Sequence, residues 1–175
     1  MRTLGTLIAL LSTAFAGFMT AGAAHAAPDV RTSLIAAGVP ADVAGQPLTR
    51  KPAAAGQVIH LTNPNVGMPA SSIDAVVDHK AKTVQVIQRY NWKPSQLSVA
   101  WVNLSTGASG RSGFPTRIPR PDLSDNYYDL STTLRTGPGP VALVVWGMIP
   151  GWTGLLSVAP EYFGILTPTG TLVTV

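Results

Sequence analysis

The run Val141–Ile149 (VALVVWGMI) constrains this chain more than any other feature. It lies inside an interval, Arg135 to Glu161, with no charged residue between its ends. Such a run must be either a strand buried on both faces or part of something that enters lipid. As a helix, nine residues reach about 14 Å, less than half of a bilayer core. As a strand they reach roughly 30 Å. Extending the run to Ala159 keeps it uncharged but takes in Gly147, Pro150, Gly151 and Gly154, which interrupt a helix. Val141, Val144 and Val145 are β-branched and favour strand. The expectation is a buried strand in a soluble exported domain, with membrane association through 141–159 as the alternative. Few segments alternate as the lipid-facing strands of a membrane barrel do.

Export is read from the N-terminus. Arg2 precedes the apolar Leu4–Met19, and small residues then end in Ala24-His25-Ala26. This is the pattern of a cleavable signal peptide over 1–26, with cleavage expected between Ala26 and Ala27 and a secreted or cell-envelope location. Retention of the segment as an anchor is the alternative. The chain has no Cys, so a lipobox, thiol catalysis, Fe–S clusters and cysteine zinc sites are all excluded, and an exported fold must hold without disulfides. About 150 residues follow the leader, enough for one domain with its own core. The formal net charge is only +4, and no Lys/Arg run exists, so nucleic acid is not expected as a partner.

Between 27 and 40, Asp29 can cap a short helix with Val30, Leu34 and Ile35 on one side, Gly38 just past its end and Pro40 following. Residues 41–56 (ADVAGQPLTRKPAAAG) show no apolar period and read as an extended linker. From 57 onward, short β-rich runs alternate with turn signals: 57–62, 73–78, 83–90, 97–104, 127–134, 141–149, 155–158, 161–166 and 171–175. The pair 73–78 and 83–90 reads as a hairpin around His79–Lys82. Ile87 falls out of phase with Val84 and Val86, which suggests a bulge near Val86–Ile87 that turns Tyr90 or Trp92 inward. In 97–104, Leu97, Val99 and Trp101 share one face, and Ser98, Ala100 and Val102 the other. Residues 105–113 read as a Gly/Ser turn. Residues 114–122 hold three prolines and can only be a sheet edge or an open loop.

Together these signals predict an all-β chain: one β-sandwich of about seven to nine short strands over 57–175, preceded by the leader (1–26) and by a short helix and linker (27–56). The Val99-x-Trp101 spacing resembles the central Trp of immunoglobulin-like sandwiches, which implies that broad architecture.

The motifs of catalysis are largely missing. No G-x-S-x-G, H-E-x-x-H or phosphate-binding loop occurs, and no cofactor is expected. Beyond the leader the histidines are His60 and His79. They could meet at a metal only if their strands neighbour each other, and no metal is expected. Asp78 and His79 are the residues around which a cryptic hydrolase would be built, although a hairpin tip ordinarily carries exposed polar residues. Asp125 and Asp129 are close carboxylates that serve more simply as turn caps. Asn103-Leu104-Ser105 is formally a glycosylation sequon.

The best binding candidates are Arg111, Arg117 and Arg120 with Tyr127 and Tyr128, around the proline-rich stretch. Guanidinium forks take carboxylates or phosphates, and tyrosine rings stack on sugars or apolar surface. The simpler alternative makes the arginines solvated charges and the tyrosines packing. Trp92 and Trp152 could extend an aromatic platform. The expected function is that of a non-catalytic binding module for an envelope polymer, a glycan or a protein, with no integral membrane span once the leader is removed.

Overall fold

The computed structural model describes residues 29–62, 72–91, 93–123, 126–151, 161–164 and 170–175, the backbone alone at 151 and 161–164. The leader, the run 155–158 and the residues Trp92, Asp125 and Trp152 lie outside the described residues. Two helices come first, α1 (Val30–Ala36) and α2 (Ala41–Ala44). Eleven strands follow: β1 (Leu48–Arg50), β2 (Val58–Thr62), β3 (Ile73–Asp78), β4 (Thr83–Asn91), β5 (Gln96–Asn103), β6 (Ser109–Ser112), β7 (Thr116–Pro119), β8 (Tyr128–Leu134), β9 (Pro140–Gly151), β10 (Glu161–Gly164) and β11 (Gly170–Thr174). The chain is mostly strand, and the all-β expectation holds.

The strands form two sheets. One runs β1-β11-β9-β5-β6, with β10 also paired to β9, and the other runs β2-β3-β4-β8-β7. Among the described residues all pairings are antiparallel except β1 with β11. Ile59, Ile73, Val77, Val84, Val86 and Leu134 from the five-stranded sheet share one core with Leu97, Val99, Val141, Leu143, Val145 and Val173 from the other. Trp101 packs against that core on the same face as Val99, as the period-two reading of the strand requires.

The opposite face of the six-stranded sheet is covered as well. Ala100, Val102 and Val144 pack beneath Leu34, Val39 and Ala44, with Trp146 at the margin. Val141 to Val145 are therefore no more than 2 % exposed, all five in succession. The central run is a strand buried on both faces over Val141–Val145, while Trp146 is half-buried and Met148 is 40 % exposed; no helix among the described residues is long and apolar enough to cross a membrane. The helix is placed as expected. Asp29 accepts from the Arg31 N–H at 3.1 Å, and Gly38, at φ +89°, turns the chain out. At Gly147 no side chain is tolerable: φ is +123° and a Cβ would stand 2.2 Å from the Gln96 carbonyl oxygen.

Three readings change. The stretch 41–56 is more than a linker, because it contains α2 and the edge strand β1, which borrows its order from β11. The Gly/Ser turn 105–113 contains β6, aligned by pairing with β5. Neither carries an apolar period, since a short edge strand takes its conformation from its neighbour. No bulge lies at Val86–Ile87. The register from β3 to β4 is regular there, and the irregularity falls between Gln88 and Asn91 on the β8 side. Gln88, not Ile87, continues the inward face, buried and receiving a hydrogen bond on Oε1 from the Ser95 hydroxyl at 2.6 Å. Tyr90 does not turn into the core and stays 36 % exposed.

Buried polar groups tie the ends together. Asn103 donates from Nδ2 to the carbonyls of Thr136 and Pro138, both at 2.9 Å, and its Oδ1 accepts from the N–H groups of Ser105 and Thr106. Its amide is saturated and fully buried, so in the folded chain this sequon presents no free acceptor nitrogen. Among the described residues one buried hydroxyl lacks a partner, Thr171 Oγ1 on β11. Thr171→Val removes that polar atom while keeping the shape, and should raise stability by about 1 kcal/mol in urea denaturation.

Candidate functional site

The outward face of the five-stranded sheet carries charges where a solvated strand ordinarily alternates polar residues. Titratable side chains line up across the sheet in spatial order: His60 on β2, Asp74 on β3, Arg89 on β4, Asp129 on β8 and Arg120 just past β7. His60 Nδ1 lies 3.1 Å from Asp74 Oδ1. Arg89 donates from Nε to Asp74 at 3.1 Å and from NH1 to Asp129 at 3.0 Å. Arg120 reaches Asp129 with NH1 at 3.3 Å and grips Asp122 with Nε at 2.9 Å and NH2 at 2.7 Å. From Asp74 through Arg89 and Asp129 to Arg120 the signs alternate, so Arg89 and Asp129 each stand between opposite charges. Burial works against the charge on Arg89, but the bonds to Asp74 and Asp129 outweigh it and hold its pKa above the usual guanidinium value. The pKa of Arg120 is raised as well, chiefly by its hydrogen bonds to Asp122. In return the Arg120 hydrogen bonds keep the Asp122 carboxyl below its ordinary range.

Asp129 is the pivot of this chain of charges. It is 2 % exposed and serves three donors: Arg89, Arg120 and the Tyr90 backbone N–H, the last at 3.0 Å to Oδ1. Tyr90 needs that support because its φ is +59°, a left-handed conformation that a bulky residue seldom adopts. The guanidinium of Arg120 also lies over its ring, 5.1 Å from the centroid. Asp129 sits inside β8 as an ion-pair centre, a different role from the turn cap that its place near a strand start suggests.

The five residues singled out in sequence do not form one surface. Arg111 lies on β6 in the six-stranded sheet, 5.8 Å from the Trp146 ring and against Gly38 on the helix-covered side. Arg120 is engaged by Asp122 and Asp129. Arg117 and Tyr128 do meet, with the guanidinium carbon 3.8 Å from the ring centroid. Tyr128 is buried, and Tyr127 is half-buried beside it. Arg117 lies on the exposed strand β7 and makes no ion pair with a carboxylate among the described residues.

Strand β7 is an edge, as its prolines require. The Arg120 N–H bonds the Tyr127 carbonyl at 3.0 Å, so alternate residues 116, 118 and 120 bond inward to β8, and 117 and 119 face the free edge. Pro119 therefore removes an N–H from that edge, which blocks pairing with a further strand. At the other edge, the Lys51 ammonium covers the outward carbonyl of His60 on β2. Recognition through backbone strand addition is disfavoured at both edges of this sheet, which leaves side chains to make contacts.

His60 and His79 do not meet. His60 opposes Asp74, and His79 follows Asp78 in the turn at the far end of β3, about 16 Å along the strand. Asp78 Oδ1 accepts from the Ala81 N–H at 2.8 Å, so this carboxylate is used by the turn. Among the described residues no three His, Asp or Glu side chains gather as metal ligands would.

Arg89, Tyr90 and the role of Asp129 were missed in sequence. The available signal was Arg89 itself, a charge at an outward position of a strand otherwise rich in Val, Ile and Gln. Asp129→Asn removes one acceptor from two guanidinium groups and should cost about 3 kcal/mol in chemical denaturation. The Asp122 carboxyl should titrate below the ordinary value of 3.8 when followed by NMR, and Arg120→Gln should return it upward. Because its folded pKa is depressed, the stability this pair adds is present above the unfolded carboxyl pKa and fades as pH falls through the folded one, below about pH 4.

No family model, no curated protein and no solved structure matches this chain.

Proposed function

We propose that this is a secreted or envelope-associated, non-catalytic binding module built as an immunoglobulin-like β-sandwich, which takes acidic groups of an envelope polymer at the exposed edge strand β7. Three observations support the architecture. The strand order β3-β4-β8-β7 facing β11-β9-β5-β6 follows the A-B-E-D and G-F-C-C′ order of variable-type immunoglobulin domains. Trp101 stands on β5, the place of the central Trp. Buried valines occupy β4 and β9, the strands that carry the disulfide in antibody domains. The apolar leader supports export.

The observation that carries the binding reading is Arg117. Its guanidinium carbon lies over the Tyr128 ring, 3.8 Å from the centroid, on an exposed edge, with no carboxylate partner among the described residues. A stacked guanidinium loses little freedom when its N–H fork engages a carboxylate. Pro115, Pro119 and Pro121 further restrict the strand and its flanks. Arg120 has no such freedom, since Asp122 and Asp129 occupy its nitrogens.

Retention on isolated cell-envelope fractions and on polygalacturonate tests this reading. Arg117→Ala should weaken retention about tenfold, equivalent to one charge-assisted hydrogen-bonded contact. Arg117→Lys should recover it only in part, because an ammonium lacks the planar fork. Unchanged retention by Arg117→Ala would overturn the assignment.

A further inference from the structure

We infer that the other face of the same edge holds a second subsite, in which Tyr90 receives the C–H face of a neutral, equatorially substituted pyranose. This deepens the binding reading above by naming the ligand class of an adjoining surface. The register separates the two faces. Arg117 opposes Leu130, whereas Ile118 opposes Asp129 on the outward face, where Arg120 and Tyr90 also lie.

The argument starts from the strain at Tyr90. A left-handed conformation is nearly free for glycine and costly for tyrosine, yet here a buried carboxylate carrying two arginines holds the Tyr90 N–H in place. Packing does not call for this side chain, since the ring remains 36 % exposed and lies outside the shared core. The outcome of the strain is an aromatic ring kept at the surface, with the Arg120 guanidinium over one face and the other left for a ligand. Ile118, which opposes Asp129, and Leu123, whose N–H bonds the Arg120 carbonyl, are exposed too.

Charge decides the ligand class. Arg89 and Arg120 are outnumbered by Asp74, Asp122 and Asp129, and all three nitrogens of Arg120 are engaged. The paired set around Tyr90 therefore carries no surplus positive charge and offers a polyanion no free guanidinium. It does offer an open hydrogen-bond acceptor, the Asp122 carboxylate, 57 % exposed and fixed by Arg120. A flat ring beside a fixed carboxylate matches a pyranose, which has an apolar C–H face and hydroxyl donors at its rim. Three exposed apolar side chains are too few for the roughly 800 Å² per partner of a stable protein interface.

The test measures binding of cellohexaose and chitohexaose by titration calorimetry, with polygalacturonate alongside, for the full chain and its Tyr90 variants. At least one neutral oligosaccharide should bind the wild type, Tyr90→Phe should retain most of that affinity, and Tyr90→Gly should lose about tenfold. Tyr90→Gly should at the same time raise the urea midpoint, because glycine accepts the left-handed backbone. Weaker binding in a more stable variant separates a ligand role from a folding role. Wild-type affinity in Tyr90→Gly, or no binding of either neutral probe by the wild type, would overturn the subsite. Arg117→Ala should change only the polygalacturonate arm, so failure of the subsite and failure of the acidic-polymer reading are read from different probes.

Discussion

Five consecutive side chains, Val141 to Val145, are withdrawn from water on both faces of one strand, and the rest of the architecture follows from that requirement. A strand with apolar residues on one face needs one covering layer; this one needs two. The five-stranded sheet covers Val141, Leu143 and Val145, and the short helices cover Val144 with Ala100 and Val102. Each fully buried Val or Leu contributes about 1.5–3 kcal/mol, so this segment stands in for the cross-link that a cysteine-free chain lacks. It also explains the helices, which are too short to persist alone and keep their form by packing on the sheet.

The outward face of the five-stranded sheet meets a different constraint. Asp129 and Asp74 are buried there, and buried carboxylates are tolerable only when neighbouring charges and hydrogen bonds compensate them. Arg89 between Asp74 and Asp129, with Arg120 beside Asp129, achieves this. The same compensation supports the strained backbone of Tyr90. Arg117, by contrast, rests on an aromatic ring on the opposite side of β7 and keeps its polar edge available. Two arginines three residues apart thus have unlike roles, one holding the sheet together and one facing outward.

Much of the fold was legible in the residues. The strand nature of Val141–Ile149, the hairpin around His79–Lys82, the split of Leu97–Leu104 into two faces, the Asp29 cap and the edge position of the proline-rich stretch all rest on local chemistry, and each appears in the structure. What misled was the face assignment on β4, where a glutamine points inward and an isoleucine outward. Hydrophobic periodicity cannot register a buried Gln88 whose amide is bonded to Ser95. The grouping of Arg111 with Arg117 and Arg120 failed for a related reason. Proximity along the chain puts them in one stretch, but β6 and β7 belong to different sheets.

The sequence by itself determined that the chain is built of strands, that one of them must be kept from water on both faces, whether by protein or by lipid, and that no cysteine chemistry takes part. These depend on side-chain type and spacing over a few residues, a distance at which backbone geometry is set by local sterics. Tertiary structure alone decided which charges pair, that Asp129 sits between Arg89 and Arg120, and that Tyr90 is held outward while Arg117 lies on Tyr128. Those contacts join residues up to 40 positions apart, and only the strand register brings them within hydrogen-bonding distance.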